Sequence, residues 1–266
     1  MLAWFSRAML RWYPATYSRW RLISSPSRQL GTPSAEDPHD YSCCPRGARR
    51  ESYSTTHTTA PSEHVQKIIQ RTESVCAMDF MLSGPLVGQL LRFLVGMSNT
   101  RCVLEIGSYT GFSALSMLEG LRSPTEGCVV CIDDWSDEQS ARQVFMDGVA
   151  SHPRGSAVRV LELSGKEGLQ QLLREGATFD FVFIDADKES QIDYIDCILR
   201  HLLSPHGVIA VDNTLWYSKV LDDADTTDPT TSSIQQFNDH VASLSGLDVL
   251  LLPIRDGLTL IRRLHS

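Results

Sequence analysis

Residues 103–115 read VLEIGSYTGFSAL. A short apolar run suits a buried strand, Gly107 and Gly111 interrupt it, and FSAL opens a helix. A strand–glycine–helix junction is where open α/β sheets bind nucleotides, outside the carboxyl ends of the strands. Glycines there let the backbone approach a ligand without a Cβ clash. The spacing narrows the ligand. A dinucleotide fingerprint places its glycines two and then three residues apart, whereas these are four apart, and Ser108 stands where a pyrophosphate would need the second glycine. The turn therefore suits a nucleoside without a pyrophosphate, which ranks a nicotinamide-dependent oxidoreductase low. Glu105, two residues ahead of Gly107, reads as a ligand carboxylate before it reads as a cap or loop acid. Asp133 and Asp134 follow the next strand-like run. An acid at that place can accept hydrogen bonds from ribose hydroxyls; for Asp134 an ordinary loop role is the better reading.

Outward from this stretch the chain alternates regularly. CVLEI (102–106), CVVCI (128–132), AVRVL (157–161), FVFI (181–184) and GVIAV (207–211) read as strands, with helical lengths such as 136–149 and 190–203 between them. The pattern predicts an α/β fold, a doubly wound and mostly parallel Rossmann-like sheet with helices on both faces. LDVLLLPI and LTLIRR, flanking Asp256-Gly257, predict a closing antiparallel hairpin.

The fourth strand ends as FVFIDADK (181–188) and the fifth as VIAVDN (208–213). Neighbouring parallel strands would deliver Asp185, Asp212 and Asn213 to the same end of the sheet. Oxygen donors without Cys or His favour a hard cation, and a site completed by water and substrate suits Mg²⁺. Either pair alone would be weak, since Asp often ends strands; both beside a nucleoside turn reinforce each other. Lys188, three residues past Asp185, can lean back toward the cation, whose charge would favour a neutral amine able to take a proton. The competing reading is a surface lysine paired with Asp185 or Asp187. Asp187 is expected to face the cofactor.

The rest of the chain sets bounds. The formal charge is −8, but residues 1–35 hold five arginines and no acid, leaving 19 basic and 32 acidic residues beyond them, a balance of −13. An acidic body argues against nucleic acid as a partner. No apolar run approaches the roughly 18–20 residues of a membrane-spanning helix. The seven cysteines are odd in number. Cys128 and Cys131 have redox or metal spacing, yet they fall in a strand-like run where residues three apart face opposite ways, so they read as reduced and structural. At helical spacing Leu2, Phe5, Met9, Trp12 and Tyr13 oppose Arg7 and Arg11. Residues 1–30 therefore read as a mitochondrial targeting segment, with an interfacial helix or a plain tail as alternatives, and a cytoplasmic location if it is not one. Residues 31–60, rich in Ser, Thr and Pro with a basic patch at Arg46, Arg49 and Arg50, read as a flexible linker. The folded domain is assigned to 61–266, opening with a helix near Pro61-Ser62.

Taken together, VLEIGSYTGFSAL, FDFVFIDADK, VDNTLW, DGLTLIRR and MLSGPLVGQ (81–89) resemble the S-adenosylmethionine-dependent, cation-dependent O-methyltransferases of the catechol and caffeoyl-CoA type, over about residues 62–266. The resemblance implies a seven-stranded sheet with one antiparallel strand, assembled as a homodimer. It implies cofactor contacts at Ser83, Glu105, Gly107, Ser108, Ser113, Asp133 and Asp187, metal ligation by Asp185, Asp212 and Asn213, and Lys188 as general base. The expected reaction is Mg²⁺-dependent methyl transfer from S-adenosylmethionine (SAM) to a hydroxyl of a small catechol-like acceptor, with Trp216 either lining the substrate wall or simply packing. The chain departs from that family at Leu163-Ser164-Gly165, where Gly-Pro-Ala is usual, at Gln191, where an aromatic is common, and across DDWSDEQSARQ. These departures, with the N-terminal extension, motivate an alternative in which the fold binds cofactor and acts through a protein partner.

Overall fold

The computed structural model describes residues 45–264 except 124, 137 and 222–227, and only the backbone of 45–49. The segment 1–30 assigned to targeting, and the first part of 31–60, lie outside the described residues. Within 31–60 a helix, α1 (Pro45–Thr56), is present. Its Glu51 carboxylate lies 3.7 Å from the Arg255 guanidinium near the far end of the chain.

The alternation builds a seven-stranded sheet. Along the chain come α2 (Glu63–Val75), α3 (Pro85–Met97), β1 (Cys102–Ile106), α4 (Phe112–Gly120), β2 (Cys128–Ile132), α5 (Gln139–Ser151), β3 (Val158–Leu161) and α6 (Gly165–Glu175). β4 (Phe179–Ile184), α7 (Gln191–Cys197), β5 (Leu203–Asp212), α8 (Pro229–Ser243), β6 (Leu247–Leu252) and β7 (Leu258–Arg263) complete it. The strand order is β3-β2-β1-β4-β5-β7-β6. β1 to β5 pair in parallel, and β7 runs antiparallel to both β5 and β6. The expected topology is thus present, and β7 is the reversed strand.

Both faces of the parallel part are covered, so its strands are apolar at successive positions rather than alternately. Val103, Val129, Phe181, Phe183 and Ala210 enter one core with α2 to α5. Leu104, Ile106, Val130, Val182, Ile184 and Val211 enter the other with α6 to α8. Cys131 is buried in the first core while Cys128 packs against the second, as their spacing requires. With the turn before it, α3 makes 19 residues (Asp79–Met97) apolar and long enough to cross a membrane by composition. Gly84 and Pro85 start a new helix within that stretch, however, and Val87, Leu91 and Val95 are buried in the core.

Boundaries moved where side chains hold the backbone. α2 begins where expected because the Ser62 hydroxyl accepts from the Val65 N–H. α5 begins three residues later than the pattern suggests. The Asp133 carboxylate accepts from the Trp135 N–H at 2.8 Å, and Glu138 is engaged by the Ala77 N–H at 2.7 Å and the Tyr109 hydroxyl at 2.9 Å, which keeps the loop out of the helix.

The glycine after β1 has a reason that its motif does not show. Gly107 adopts φ +84, and a Cβ there would lie 2.0 Å from the Asp185 carbonyl oxygen. A neighbour it must clear is the end of β4. Gly107→Ala should therefore lower stability by about 2–3 kcal/mol, or roughly 5–10 °C in Tm. Gly176→Ala, also at positive φ but with open space around it, should cost about half as much or less; thermal melts of the two variants measure the difference.

Candidate active site

The carboxyl ends of β1, β2, β4 and β5 converge on two connected groups of side chains. At the first, the Gly107 N–H donates to the Ile132 carbonyl and the Asp185 N–H to the Ile106 carbonyl, both at 2.9 Å, binding the three strand ends together. The turn after Gly107 is closed by Asp133, which accepts from the Ser108 and Tyr109 N–H groups at 2.8 Å each. Asp133 thus organises the glycine turn itself, with its carboxyl held above the usual range chiefly by burial. Tyr109 (φ 45) and Trp135 (φ 47) are left-handed, and the Trp135 indole N–H donates to the Tyr109 carbonyl at 2.6 Å, joining the two strained loops.

Glu105 is fully buried, and among the described residues neither carboxylate oxygen has a hydrogen-bond partner, nor does the buried Ser108 hydroxyl. Ser108, Ser113 and the Cys131 thiol are close enough to ease the burial of the charge, but desolvation prevails and pushes the carboxyl up to about 7. An orphaned acid beside an orphaned hydroxyl fits a ligand that brings donors or positive charge. Asp187 lies across the turn and accepts from the Tyr194 hydroxyl at 2.5 Å. The unusual Leu163-Ser164-Gly165 loop is a sound helix start, since Ser164 and Glu167 form a reciprocal cap on α6. A Cβ at Gly165 would lie 2.4 Å from the Tyr194 oxygen, so Gly165 leaves the space through which Tyr194 reaches Asp187.

At the second group, Ile184 and Val211 are register partners on β4 and β5, which sets Asp185 and Asp212 side by side. Asp212 is buried, and burial first, then the Asp185 charge, pushes its carboxyl up to about 7, with Lys188 opposing. Lys188 is itself buried and its Nζ lies 3.2 Å from Asp185 Oδ1; it is not a surface lysine. The Ser83 hydroxyl, from the segment before α3, donates to Asp185 Oδ2 at 3.4 Å. Asn213 is left-handed (φ 62) and its N–H donates to Asp212 at 2.8 Å. Among the described residues no three His, Cys, Asp or Glu side chains form a metal cluster. Asp185, Asp212 and Asn213 instead offer two carboxylates and an amide, a set that could hold a hard cation.

A family model described as O-methyltransferase matches residues 54–264. The chain belongs to the O-methyltransferase family. A caffeoyl-CoA O-methyltransferase of Stellaria longipes is 30% identical over 211 residues, covering 77% of this chain and 85% of its own. Tricin synthase 1 of Oryza sativa subsp. japonica is 34% identical over 200 residues, covering 70% and 75%. Among solved structures, the SAH-bound methyltransferase PaMTH1 of Podospora anserina superposes with a TM-score of 0.74 at 23% identity, covering 89% and 100%. The O-methyltransferase TomG of Streptomyces achromogenes, in complex with SAM, gives 0.71 at 25% identity, covering 81% and 96%. The protein is a SAM-dependent enzyme of this family.

In this O-methyltransferase, sequence reasoning passed over Asp256 and Arg255. Asp256-Gly257 was legible only as a turn, yet Asp256 is buried and lies within electrostatic range of Lys188 and Asp185, and burial pushes its carboxyl up to about 6. Its backbone carbonyl accepts from the Leu215 and Trp216 N–H groups, and the Gly257 carbonyl from Thr214. Gln191 is fully buried, with both amide atoms lacking a hydrogen-bond partner among the described residues.

Glu105 supplies a pH test. Folding raises its carboxyl from 4.5 to about 7, so its contribution to stability is complete below the unfolded value and is lost as pH rises through about 7. The swing is on the order of 3 kcal/mol. Glu105→Gln should reduce the fall in Tm of the cofactor-free protein between about pH 5 and pH 8, and weaken SAM binding by about tenfold or more. Melts across that range, with calorimetric SAM titration, check both; an unchanged pH dependence would assign the titration to other acids.

Proposed function

We propose that this O-methyltransferase transfers a methyl group from SAM to one hydroxyl of a vicinal diol on a small catechol-like acceptor, with the help of a divalent cation, Mg²⁺ by preference. The observation that carries the reading is Asp212, a buried carboxyl set beside a second carboxyl and opposed by a buried lysine. One lysine leaves the two carboxylates with a net negative charge that a divalent cation would offset. Asp185, Asp212 and Asn213 would hold it, and when bound it would orient the diol and lower a hydroxyl pKa. SAM supplies the electrophilic methyl group.

The chain's own residues account for the remainder. β1 carries the groups suited to the cofactor and β4 carries Asp185, Asp187 and Lys188. Because the two strand ends are hydrogen-bonded directly, donor and acceptor are held in a fixed relation, as an in-line displacement requires. Lys188, anchored through Asp185, would accept the proton the hydroxyl gives up once its amine is neutral. Ser83 steadies the other Asp185 oxygen.

Labelled-methyl transfer from SAM to a catechol panel should depend on Mg²⁺ and stop with EDTA, and Asp212→Ala should lower kcat/KM by at least about a hundredfold. Transfer indifferent to EDTA would remove the cation from the reading; transfer to phenols but to no diol would remove the acceptor class. We further infer from the composition of residues 1–30 that this segment directs mitochondrial import. A fluorescent fusion of residues 1–60 should concentrate in mitochondria, and a diffuse cytosolic signal would count against it.

A further inference from the structure

Arg255 sits in the 253–257 connection with φ 49, a left-handed backbone that a glycine would hold with less strain. What the chain gains from arginine there must come from its side chain. That side chain is only 10% exposed, and the guanidinium lies against the Gly84 backbone, where an added Cβ would fall 2.3 Å from Nη1. Gly84 follows Ser83, whose hydroxyl reaches Asp185. Asp256, next in sequence, feels both Lys188 and Asp185. A largely covered cation therefore lies beside this end of the site, where α1 meets it. The carboxylates it meets there include that of Glu51 from α1, at 3.7 Å, and its charge also acts on Asp256.

The floor of the site is acidic, through Asp185, Asp212 and Asp256, and suits the hydroxyl end of an acceptor. Its border is cationic. Arginine matches the planar geometry of a carboxylate and binds it more strongly than a neutral acceptor. We infer that Arg255 is a specificity-determining residue that selects acceptors carrying a carboxylate, with Glu51 occupying the guanidinium until such an acceptor displaces it. The inference deepens the diol reading above and rests on it for the position of the hydroxyls.

The test uses the full-length protein with S-adenosylhomocysteine and Mg²⁺, and measures calorimetric binding of 3,4-dihydroxybenzoate and of neutral 4-methylcatechol. Methyl-transfer selectivity between the same two compounds is measured in parallel with SAM. The wild type should favour the carboxylate. Arg255→Gln and Arg255→Gly, the latter suited to the left-handed backbone, should each cut that preference about ten- to a hundredfold, and Arg255→Lys should restore part of it. Glu51→Gln should tighten 3,4-dihydroxybenzoate binding. A preference unchanged in the folded Arg255 variants, an equal loss for both compounds, or no binding of either overturns the inference. Arg255-dependent binding without transfer would instead leave the inference standing and refute the diol acceptor; transfer to both compounds with an unaltered ratio does the reverse.

Discussion

The whole site depends on a contact too close for a side chain. Where β1 ends, the Gly107 backbone lies against the Asp185 carbonyl at the end of β4, and the two strand ends are joined by the Asp185 N–H to Ile106 bond. Glu105 and Ser108 hang on one side of that contact, and Asp185, Asp187 and Lys188 hang on the other. A methyl group at Gly107 would have to push the strands apart, and with them the two halves of the chemistry. Close packing transmits such a displacement because the interior has little free volume to absorb it.

A second constraint comes from the reversed strand. Asp212 pairs with Leu258 across β5 and β7, and the backbone carbonyls of Asp256 and Gly257 take the N–H groups of residues 214–216. The Thr259 hydroxyl donates to that of Thr214 at 2.9 Å. These bonds hold a loop in which Asn213, Trp216, Tyr217 and Ser218 are all left-handed. Strain of this kind persists only where surroundings over-determine it, and it gathers at functional sites. The antiparallel ending is therefore more than a way to close the sheet: it fixes the donors at the end of β5.

Electrostatics gives the site its character. Glu105 and Asp212 are raised to about 7 and Asp256 to about 6, each with burial as the first cause. Perturbed acids clustered at one end of a sheet are the mark of a site built to meet charge that a ligand brings. The enzyme family supplies a reason for such an arrangement, since the methyl donor is a cation. Two cations meet this acidic group, Lys188 beside Asp185 and Arg255 near α1.

The sequence by itself determined the layered sheet and picked out most of the residues that gather at its carboxyl end. Apolar runs spaced by helical lengths define β1 and β2 to the residue, because strands buried on both faces are written as continuous hydrophobic stretches. ExGxxxG and the two Asp-ended strands named Glu105, Asp185, Asp212, Asn213 and Lys188 without any knowledge of their neighbours. Tertiary structure decided the rest. It gave Gly107 a neighbouring strand to clear and turned Asp133 toward the glycine turn. It matched the shortened side chain at Gly165 to Tyr194, carried Asp256 to residues some 70 positions earlier, and carried Arg255 to residues some 170 to 200 positions earlier. Local patterning reports which face of an element is buried; it cannot report which distant backbone lies against that face. That is why the acids at strand ends were legible, and the turn that holds them in place was not.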